Sequence, residues 1–315
     1  MDILFIADPL ASFNLKKDST YAMMAQAGAR GHQLFACEPR HLSAVAGGAI
    51  HAHAQAITLT GSKPAWFAVQ SEAVMPLAKF GAVIMRKDPP FDLEYFYASH
   101  LLERAEQQGA HVFNSGAALR NHPEKLAILE FPQFTAPTLV ARDMATLKAF
   151  HAEHGDVVYK PLDGMGGTGV FRCAAGERNL NVILETLTHN GAQTIMAQQF
   201  VPAISEGDKR ILIIDGVPVD WCLARIPKEG ETRGNLAAGG TGVARPLTAR
   251  DREIATALGQ VLAPRGLLLA GIDVIGDSLT EINITSPTCF VEITEQSGIN
   301  VAGLFMDAIE RHAQH

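Results

Sequence analysis

Three oxygen-bearing side chains near the carboxyl-terminal end of the chain have a spacing that suits a bound cation. Asp273 lies on a short apolar run that ends at Gly276, and Glu281 and Asn283 lie two residues apart on the next run. The pattern predicts a β-hairpin, in which residues i and i+2 of a strand point to the same face. Oxygen ligands on a rigid support suit Mg²⁺, which takes one or two carboxylates together with substrate phosphates. A polar sheet face that binds nothing is the alternative interpretation.

A glycine-rich segment in the middle of the chain has features of a phosphate-binding loop. A strand predicted at residues 157–161 contains Lys160 and leads into a loop that includes Gly164, Gly166 and Gly167. Glycine has no Cβ to hold the backbone away from a ligand, and successive N–H groups in such a loop can bind an anion. The loop is not a Walker A motif, because no Lys-Ser/Thr pair follows its last glycine. A flexible hairpin is the alternative, but Lys160 favours a hairpin that covers phosphates.

Three arginines could neutralise negative charge on a substrate. Arg210 and Arg225 flank a predicted hairpin, so their guanidinium groups could meet across it. Each guanidinium can bind carboxylate or phosphate oxygens in bidentate geometry. Arg233 lies in the glycine-rich stretch 226–246, which has little hydrophobic periodicity. We predict that this stretch is a lid that closes over substrate and excludes water.

Two further segments have features of binding sites. Arg86 follows a strand of buried type, and ligands in open α/β sheets bind beyond the carboxyl ends of strands. With the adjacent lysine and a stiff Pro-Pro turn, it indicates a site for a carboxylate, and a solvated charged loop is the alternative. The extended run 194–202 contains Gln198, Phe200 and Val201 and suits a hinge that binds adenine through backbone groups.

The elements that position these residues predict an α/β protein of several lobes. A β-α-β pattern opens the chain and predicts an open α/β sheet, and 315 residues are too many for one small core. The helix predicted at 93–108 has aromatic and aliphatic residues at helical spacing, which we interpret as core. We predict three domains: residues 1–122 form an amino-terminal α/β domain on the substrate side, 123–201 a lid subdomain with the glycine hairpin, and 202–315 a catalytic subdomain that contains the loop 226–246.

Composition limits the classes of partner. The formal net charge of −7 argues against nucleic acid, and the sequence has no apolar run long enough to span a membrane. The four cysteines lack CxxC spacing, which is typical of buried thiols in a reducing compartment. The first residues have no basic leader. We therefore predict a cytoplasmic protein whose partners are small molecules.

Taken in order, these parts resemble the ATP-grasp carboxylate–amine ligases. Several runs are similar, more narrowly, to bacterial glutathione synthetases, and they extend over essentially the whole chain. The runs are residues 85–92, 160–167, 207–210, 222–227, 230–240 and 280–288. Thr241 departs from the pattern, because a basic residue is expected there in the lid. Another ATP-grasp ligase that adds an amino acid to a peptide is the alternative.

The resemblance implies an ATP-grasp fold, with an amino-terminal open α/β lobe and two α+β lobes that clamp ATP. It implies that ATP, γ-glutamylcysteine and glycine are converted to glutathione, ADP and phosphate through an acyl phosphate, by a cytoplasmic homotetramer. It also implies roles for individual residues: Lys125 and Lys160 with the ATP phosphates, Gly164, Gly166 and Gly167 above them, Gln198, Phe200 and Val201 with adenine, Asp208 with ribose, Arg210 and Arg225 with the acyl phosphate, Arg233, Arg86 and Ser286 with the other substrates, and Asp273, Glu281 and Asn283 with two Mg²⁺ ions, or with Mn²⁺.

Overall fold

The computed structural model describes residues 1–61, 65–231, 233–234, 236 and 239–313. Within these residues the strands form three sheets, which lie within 2–113, 138–199 and 208–283. Each of the three predicted domains contains one of these sheets. Residues 232, 235, 237 and 238 of the predicted lid lie outside the described residues.

The amino-terminal sheet is parallel at its centre. Its strands are β1 (Asp2–Ile6), β2 (Gln33–Cys37), β3 (Leu42–Ala44), β4 (Ile50–Leu59), β5 (Phe67–Pro76), β6 (Ala82–Met85) and β7 (Val112–Phe113). The order is β3-β4-β2-β1-β6-β7, with β5 paired to β4. β1 pairs in parallel with both β2 and β6, as the β-α-β pattern predicts. The carboxyl ends of β1 and β6 therefore lie side by side, which places Arg86 at that edge of the sheet.

Two helices of this domain pack on the sheet, and the third packs on one of these helices. They are α1 (Ser19–Ala29), α2 (Leu93–Glu106) and α3 (Gly116–Asn121). The interpretation of the α2 aromatic residues as core is wrong for most of them. Tyr95 is 2% exposed, but Leu93, Phe96 and Tyr97 are 67%, 37% and 53% exposed. Helical spacing shows which residues share a face, but it does not show which face meets the sheet.

The middle sheet is antiparallel and has its own small core. Its strands are β8 (Thr138–Ala141), β9 (Val157–Pro161), β10 (Phe171–Cys173) and β11 (Ile195–Gln199), in the order β10-β9-β11-β8. Helices α4 (Met144–His154) and α5 (Leu180–Leu187) belong to the same region. Leu147, Tyr159, Leu184 and Ile195 are fully buried in this core.

The carboxyl-terminal sheet is antiparallel and contains the predicted cation hairpin. Its strands are β12 (Asp208–Ile214), β13 (Val217–Ile226), β14 (Thr241–Pro246), β15 (Leu269–Ile275) and β16 (Ser278–Asn283), in the order β14-β13-β12-β15-β16. Helix α6 (Ala249–Leu262) lies between β14 and β15 in the chain, and helices α7 (Phe290–Ser297) and α8 (Val301–Ala313) follow β16. β15 and β16 pair across a turn that includes Gly276, so the hairpin prediction is confirmed.

The prediction of an irregular loop over 226–246 is wrong for its last part. Residues 241–246 form β14, which pairs with β13 from Trp221↔Pro246 to Ile226↔Thr241. The glycines of this stretch hid the strand, because glycine is depleted in strands and weakens the hydrophobic pattern. No helix in the described part of the chain is long and apolar enough to cross a membrane.

The first and last sheets are joined by a common apolar cluster. Leu4 and Val83 of the amino-terminal sheet belong to the same cluster as Ile211 and Ile272 of the carboxyl-terminal sheet. The middle sheet has its own smaller core, although Met196 of β11 contributes to the common cluster. Two of the three sheets therefore share a core, and the middle sheet with its glycine loop is attached beside them.

Candidate active site

A cavity of about 1130 Å³, including the solvent space at its mouth, lies between the middle and the carboxyl-terminal sheets. Its lining brings together most of the residues that the sequence singled out separately. These are Lys125, Lys160, Gly164, Gly166, Gly167, Gln198, Phe200, Val201, Asp208, Arg210, Arg233, Asp273, Glu281 and Asn283. Arg225, Arg86 and Ser286 are not part of the lining.

The cation hairpin presents its oxygen atoms on one face. Asp273 lies directly across from Glu281 in the β15–β16 register, and Asn283 lies two residues further along β16. The Asn283 amide donates from Nδ2 to Asp273 Oδ2 at 3.3 Å and to the carbonyl of Gly271 at 3.2 Å. All three side chains line the cavity, so they lie on the same face as predicted, and the binding of a cation there stays a prediction.

Two buried arginines meet at Asp273. Arg210 binds this carboxylate with two nitrogens, Nε to Oδ1 at 2.6 Å and Nη2 to Oδ2 at 3.1 Å. Arg225 Nη2 lies 2.9 Å from Asp273 Oδ2 and donates at 2.6 Å to Asp208 Oδ2. The predicted meeting of the two arginines is confirmed, although a third strand supplies the carboxylate between them. All four side chains are buried, so each charge depends on its partners.

The two carboxylates of this cluster have different electrostatic environments. Burial raises the pKa of Asp208 to about 6, although Arg225 opposes this shift. Burial also raises the pKa of Asp273, but Arg210 and Arg225 outweigh it and hold that pKa well below its usual range. Asp208 Oδ1 is buried and has no hydrogen-bond partner in the described part of the chain. This oxygen is therefore available to accept a hydrogen bond from a ligand.

Two lysines approach Glu281 from different elements. Lys125 Nζ lies 3.1 Å from Glu281 Oε1 and also donates to the carbonyl of Gly164. Lys160 Nζ donates to Gln198 Oε1 at 3.3 Å and to the carbonyl of Thr280 at 3.1 Å. Burial lowers the pKa of Lys160, whereas Glu281 raises it. The two ammonium groups place positive charge on the cavity wall beside the cation hairpin.

The glycine loop joins β9 to β10 as a hairpin, as predicted. Gly166 and Gly167 have φ values of 63° and 82°, a region that side chains disfavour. Gly164 packs closely on the preceding strand, where an added Cβ would lie 2.8 Å from Pro161 Cγ. The guanidinium of Arg233 donates from Nη1 to the carbonyl of Gly167 at 3.2 Å. The predicted lid segment and the glycine hairpin thus touch at the edge of the cavity.

The predicted adenine hinge lies at the end of β11. Gln198 uses its side chain within the wall, where Nε2 donates to Thr138 Oγ1 at 2.9 Å and Oε1 accepts from Lys160. Arg172 lies over the Phe200 ring at 3.6 Å from its centroid and also lines the cavity. The position of Arg172 directly after the glycine loop supports the prediction of a phosphate-covering hairpin, but the sequence does not predict its contact with Phe200.

Arg86 and Ser286 meet on the amino-terminal side of the cavity. Arg86 is 4% exposed, so the alternative of a solvated loop is wrong for this residue. Its Nε donates to Thr20 Oγ1 at 3.1 Å and its Nη2 to the carbonyl of Pro287 at 2.9 Å. Ser286 Oγ donates to Asp88, which with Arg86 and Asp18 lines a separate pocket. Arg86 Nη1 is buried without a partner in the described residues.

Both halves of the chain match a single family. The family model described as "Prokaryotic glutathione synthetase, N-terminal domain" matches residues 1–120, and the model described as "Prokaryotic glutathione synthetase, ATP-grasp domain" matches residues 124–298. The chain belongs to the prokaryotic glutathione synthetase family. The resemblance predicted from the sequence runs is therefore confirmed.

Curated relatives of this family match the whole chain. The glutathione synthetase of Ralstonia nicotianae is 58% identical over 313 residues, which cover 99% of this chain and 96% of the relative. The glutathione synthetase of Vibrio parahaemolyticus is 51% identical over 309 residues, which cover 98% of each chain. Among solved structures, D-cycloserine synthetase DcsG aligns with a TM-score of 0.66 at 16% identity, over 98% of this chain and 99% of that one. The ATP-grasp ligase PsnB aligns with a TM-score of 0.64 at 18% identity, over 100% and 98%. The predicted ATP-grasp fold is confirmed.

The donor set of the cation hairpin fits the kind of metal that such a ligase uses. Two carboxylates and an amide supply oxygen ligands, which hard divalent cations prefer. No group of three or more His, Cys, Asp or Glu side chains suitable for a metal occurs in the described residues. A cation at this hairpin would therefore need further oxygen ligands from a substrate.

Glu124 is a residue that sequence reasoning missed. Its side chain contacts the segment that follows β16. Glu124 Oε1 accepts from the amide nitrogens of Ile284 and Thr285 at 2.9 and 3.1 Å. Desolvation raises the pKa of Glu124, and the nearby carboxylate of Glu281 raises it further. Only the fold reveals this contact, because the partners are far apart in sequence.

Proposed function

We propose that this protein is an ATP-dependent ligase that joins glycine to γ-glutamylcysteine and releases glutathione, ADP and phosphate. The observation that supports this most strongly is the match of both domains to prokaryotic glutathione synthetases, together with curated relatives at 51–58% identity. The cavity collects the side chains that such a reaction requires.

The reaction needs an activated carboxylate. A carboxylate is a poor electrophile at neutral pH, so the terminal phosphoryl group of ATP is first transferred to the cysteinyl carboxylate, which gives an acyl phosphate and ADP. The unprotonated amine of glycine then attacks the acyl carbon, the C–N bond forms, and phosphate leaves with the electron pair of the broken C–O bond. The proton that the nitrogen loses is taken up by the released phosphate. The protein contributes positioning and charge stabilisation rather than a covalent intermediate of its own.

Different walls of the cavity would bind different parts of ATP. Lys125, Lys160 and the hairpin glycines would bind the phosphates, and the segment from Gln198 to Val201 would contact adenine. Asp208 Oδ1, which lacks a partner in the described residues, would accept a hydrogen bond from a ribose hydroxyl. This assignment accounts for a buried carboxylate oxygen that the protein itself leaves unpaired.

Asp273, Glu281 and Asn283 would hold the divalent cation, Mg²⁺ or alternatively Mn²⁺. When bound, the cation supplies Lewis-acid stabilisation of phosphate charge. Arg210 lines the cavity and would face the transferred phosphoryl group. Arg225 lies behind Asp208 and Asp273 in this conformation, so its contribution would be to fix these two carboxylates and Arg210.

The pocket around Arg86 would receive the glutamyl end of the dipeptide. A carboxylate could bind the unpartnered Arg86 Nη1, while Asp18 and Asp88 on the same wall would attract the amino group. Ser286 connects this pocket to the cation hairpin through the chain that follows β16. Arg233 would hold glycine or the product beneath the lid, and closure would keep water from the acyl phosphate.

We propose further that the enzyme is cytoplasmic and homotetrameric. Its four cysteines are free and buried, which agrees with a reducing compartment. Leu93, Phe96 and Tyr97 form an exposed apolar stripe on α2, with Glu94 in the first turn and Arg104 in the last. Two copies packed antiparallel through this stripe would bring opposite charges together at each end. Sedimentation analysis tests this: the parent protein should have the mass of four chains, and Phe96→Glu should lower it. A monomeric or dimeric parent protein would contradict the homotetramer, and an unchanged mass in Phe96→Glu would contradict the role of this stripe.

Phosphate release tests the reaction. The purified protein should release phosphate from ATP only when γ-glutamylcysteine and glycine are both present, and mass spectrometry should detect glutathione. Turnover with D-alanine or glutamate in place of glycine, and none with glycine, would refute the substrate assignment while leaving the ligase class intact. ATP binding without phosphate release under any of these conditions would indicate a non-catalytic protein of the same fold.

A further inference from the structure

We infer that Glu124 is a positioning residue that fixes the chain immediately after β16 and thereby sets where the dipeptide binds. The inference rests on the proposed function, because the dipeptide is the ligand that this segment would contact. None of the sequence runs that carry the family resemblance contains Glu124, so this role comes from the structure alone.

The contacts of Glu124 surround Asn283 on both sides. Its backbone carbonyl accepts from the amide of Ile282 at 3.0 Å. Its side-chain Oε1 accepts from the amides of Ile284 and Thr285, and from Thr285 Oγ1 at 2.9 Å. One residue from the start of the ATP-grasp domain therefore binds the chain at Ile282, before a proposed cation ligand, and at Ile284 and Thr285, after it.

The segment needs such a partner because it leaves the sheet. β16 ends at Asn283, so the amides of Ile284 and Thr285 have no partner strand in the described ladder. Both residues are buried, at 1% and 4% exposure, and a buried amide without an acceptor is unfavourable. A carboxylate oxygen is a strong acceptor for several donors at once. The Glu124 carboxylate thus supplies the hydrogen-bond acceptor that a neighbouring strand would otherwise provide.

The same segment continues into the proposed dipeptide pocket. Ser286 follows Thr285 and donates to Asp88, and the carbonyl of Pro287 accepts from Arg86. The groups proposed to contact adenine, in contrast, lie on the middle sheet. Loss of the Glu124 acceptor should therefore weaken binding of the dipeptide much more than binding of ATP.

Glu124→Ala and Glu124→Gln separate positioning from general stabilisation. Glu124→Gln keeps a carbonyl oxygen that can accept the same hydrogen bonds, so it should stay within about threefold of the parent protein. Glu124→Ala should raise KM for γ-glutamylcysteine by about tenfold or more, because buried amides lose their acceptor. ATP affinity, measured by calorimetry without turnover, should change by less than about threefold. Glu185→Ala, an exposed glutamate on α5, is the matched control and should change none of these values.

Hydrogen exchange measures the positioning directly. The amides of Ile284 and Thr285 should exchange at least about tenfold faster in Glu124→Ala than in the parent or in Glu124→Gln, because their acceptor has been lost. Amides of β9 should not change. Equal exchange in all three proteins, or a Glu124→Gln variant as defective as Glu124→Ala, would overturn the inference.

Two further measurements keep the test decisive. If Glu124→Ala does not fold, Thr285→Val removes one of the donors from the other side and should raise the same KM by about two- to fivefold; no change in KM would contradict the role. Exchange and calorimetry require no turnover, so absence of ligase activity in the parent protein counts against the proposed function alone.

Discussion

Two hairpins face each other across the cavity, and they are built in opposite ways. The β15–β16 hairpin places Asp273 at 3% exposure between two arginines that are themselves buried. The β9–β10 hairpin ends in a loop of glycines at positive φ, with Met165 and Phe171 at 48% and 41% exposure. The charged groups of the first hairpin are buried, so they would lose their partners without gaining water if they separated. The loop of the second hairpin has few buried contacts.

The difference shows how one cavity can hold charged groups rigidly and still admit and release nucleotide. A group that stabilises charge in a transition state is most effective when it needs no reorganisation, which the buried Asp–Arg cluster provides. A cover that admits and releases nucleotide must open, which a glycine loop with little buried surface allows. Variants in the two hairpins should therefore separate stability from ligand binding.

Asp273→Asn should produce the largest effect on stability. It leaves Arg210 and Arg225 buried beside a neutral amide, and breaking a buried ion pair costs about 3–5 kcal/mol. Urea unfolding of the purified protein measures this loss. Asp220→Asn is the matched control, because Asp220 pairs with Arg252 at the surface and its side chain is 67% exposed. This variant should lose less than about 1 kcal/mol of the free energy of unfolding. Equal losses in the two variants would show that the cluster is not the rigid part of the site.

Glu281→Gln should remove activity while leaving the fold intact. Glu281 lies opposite Asp273, but its ion pair is to Lys125 at 3.1 Å and its side chain is 21% exposed. If Glu281 holds the catalytic cation as proposed, its loss removes several kcal/mol of transition-state stabilisation, so turnover should fall by about 10³-fold or more. The melting temperature should change little. A large drop in melting temperature with normal turnover in the folded fraction would contradict a catalytic role.

The sequence predicted both hairpins because each leaves a local signal. Apolar runs around a short turn predict β15 and β16, and a strand followed by clustered glycines predicts β9 and its loop. The side-chain types of Asp273, Glu281 and Asn283 predict a cation site, which stays a prediction. These features depend on neighbours within about 20 residues, which a single sequence displays.

The contacts between strands could not be predicted in the same way. Asp273 binds Arg210 and Arg225 only because β12 lies between β13 and β15 in the sheet, and strand order is not encoded in hydrophobic periodicity. Glu124 contacts Thr285 across 161 positions of sequence. The exposed face of α2 was missed for a related reason, since a helix with apolar residues on two faces does not reveal which one packs.

The pH dependence of stability tests the electrostatics of the buried Asp–Arg cluster that supports the rigid hairpin. The pKa of Asp208 is raised by burial to about 6, so the folded state binds a proton more tightly than the unfolded state. The stability contributed by this group is present below about pH 4 and is lost as pH rises through 6. The free energy of unfolding of the parent protein, relative to Asp208→Asn, should therefore fall by up to about 3 kcal/mol between pH 4 and 7. If the difference in free energy of unfolding between the two proteins does not change across this range, the pKa of Asp208 is not raised.

Gly166→Ala in the glycine hairpin should have only a small effect on stability. Gly166 has φ 63° and is exposed, and an alanine in this region costs about 1 kcal/mol. Gly176→Ala is a close control, because Gly176 has φ 79°, has no atom within 4 Å of an added Cβ, and lies outside the cavity lining. Both variants should lose similar free energy of unfolding, but only Gly166→Ala should raise KM for ATP, by about three- to tenfold, since the strained loop no longer presents its amides to phosphate. If both variants raise KM for ATP equally, or neither does, the glycine hairpin does not cover the nucleotide, and the contrast between the two hairpins loses its functional meaning.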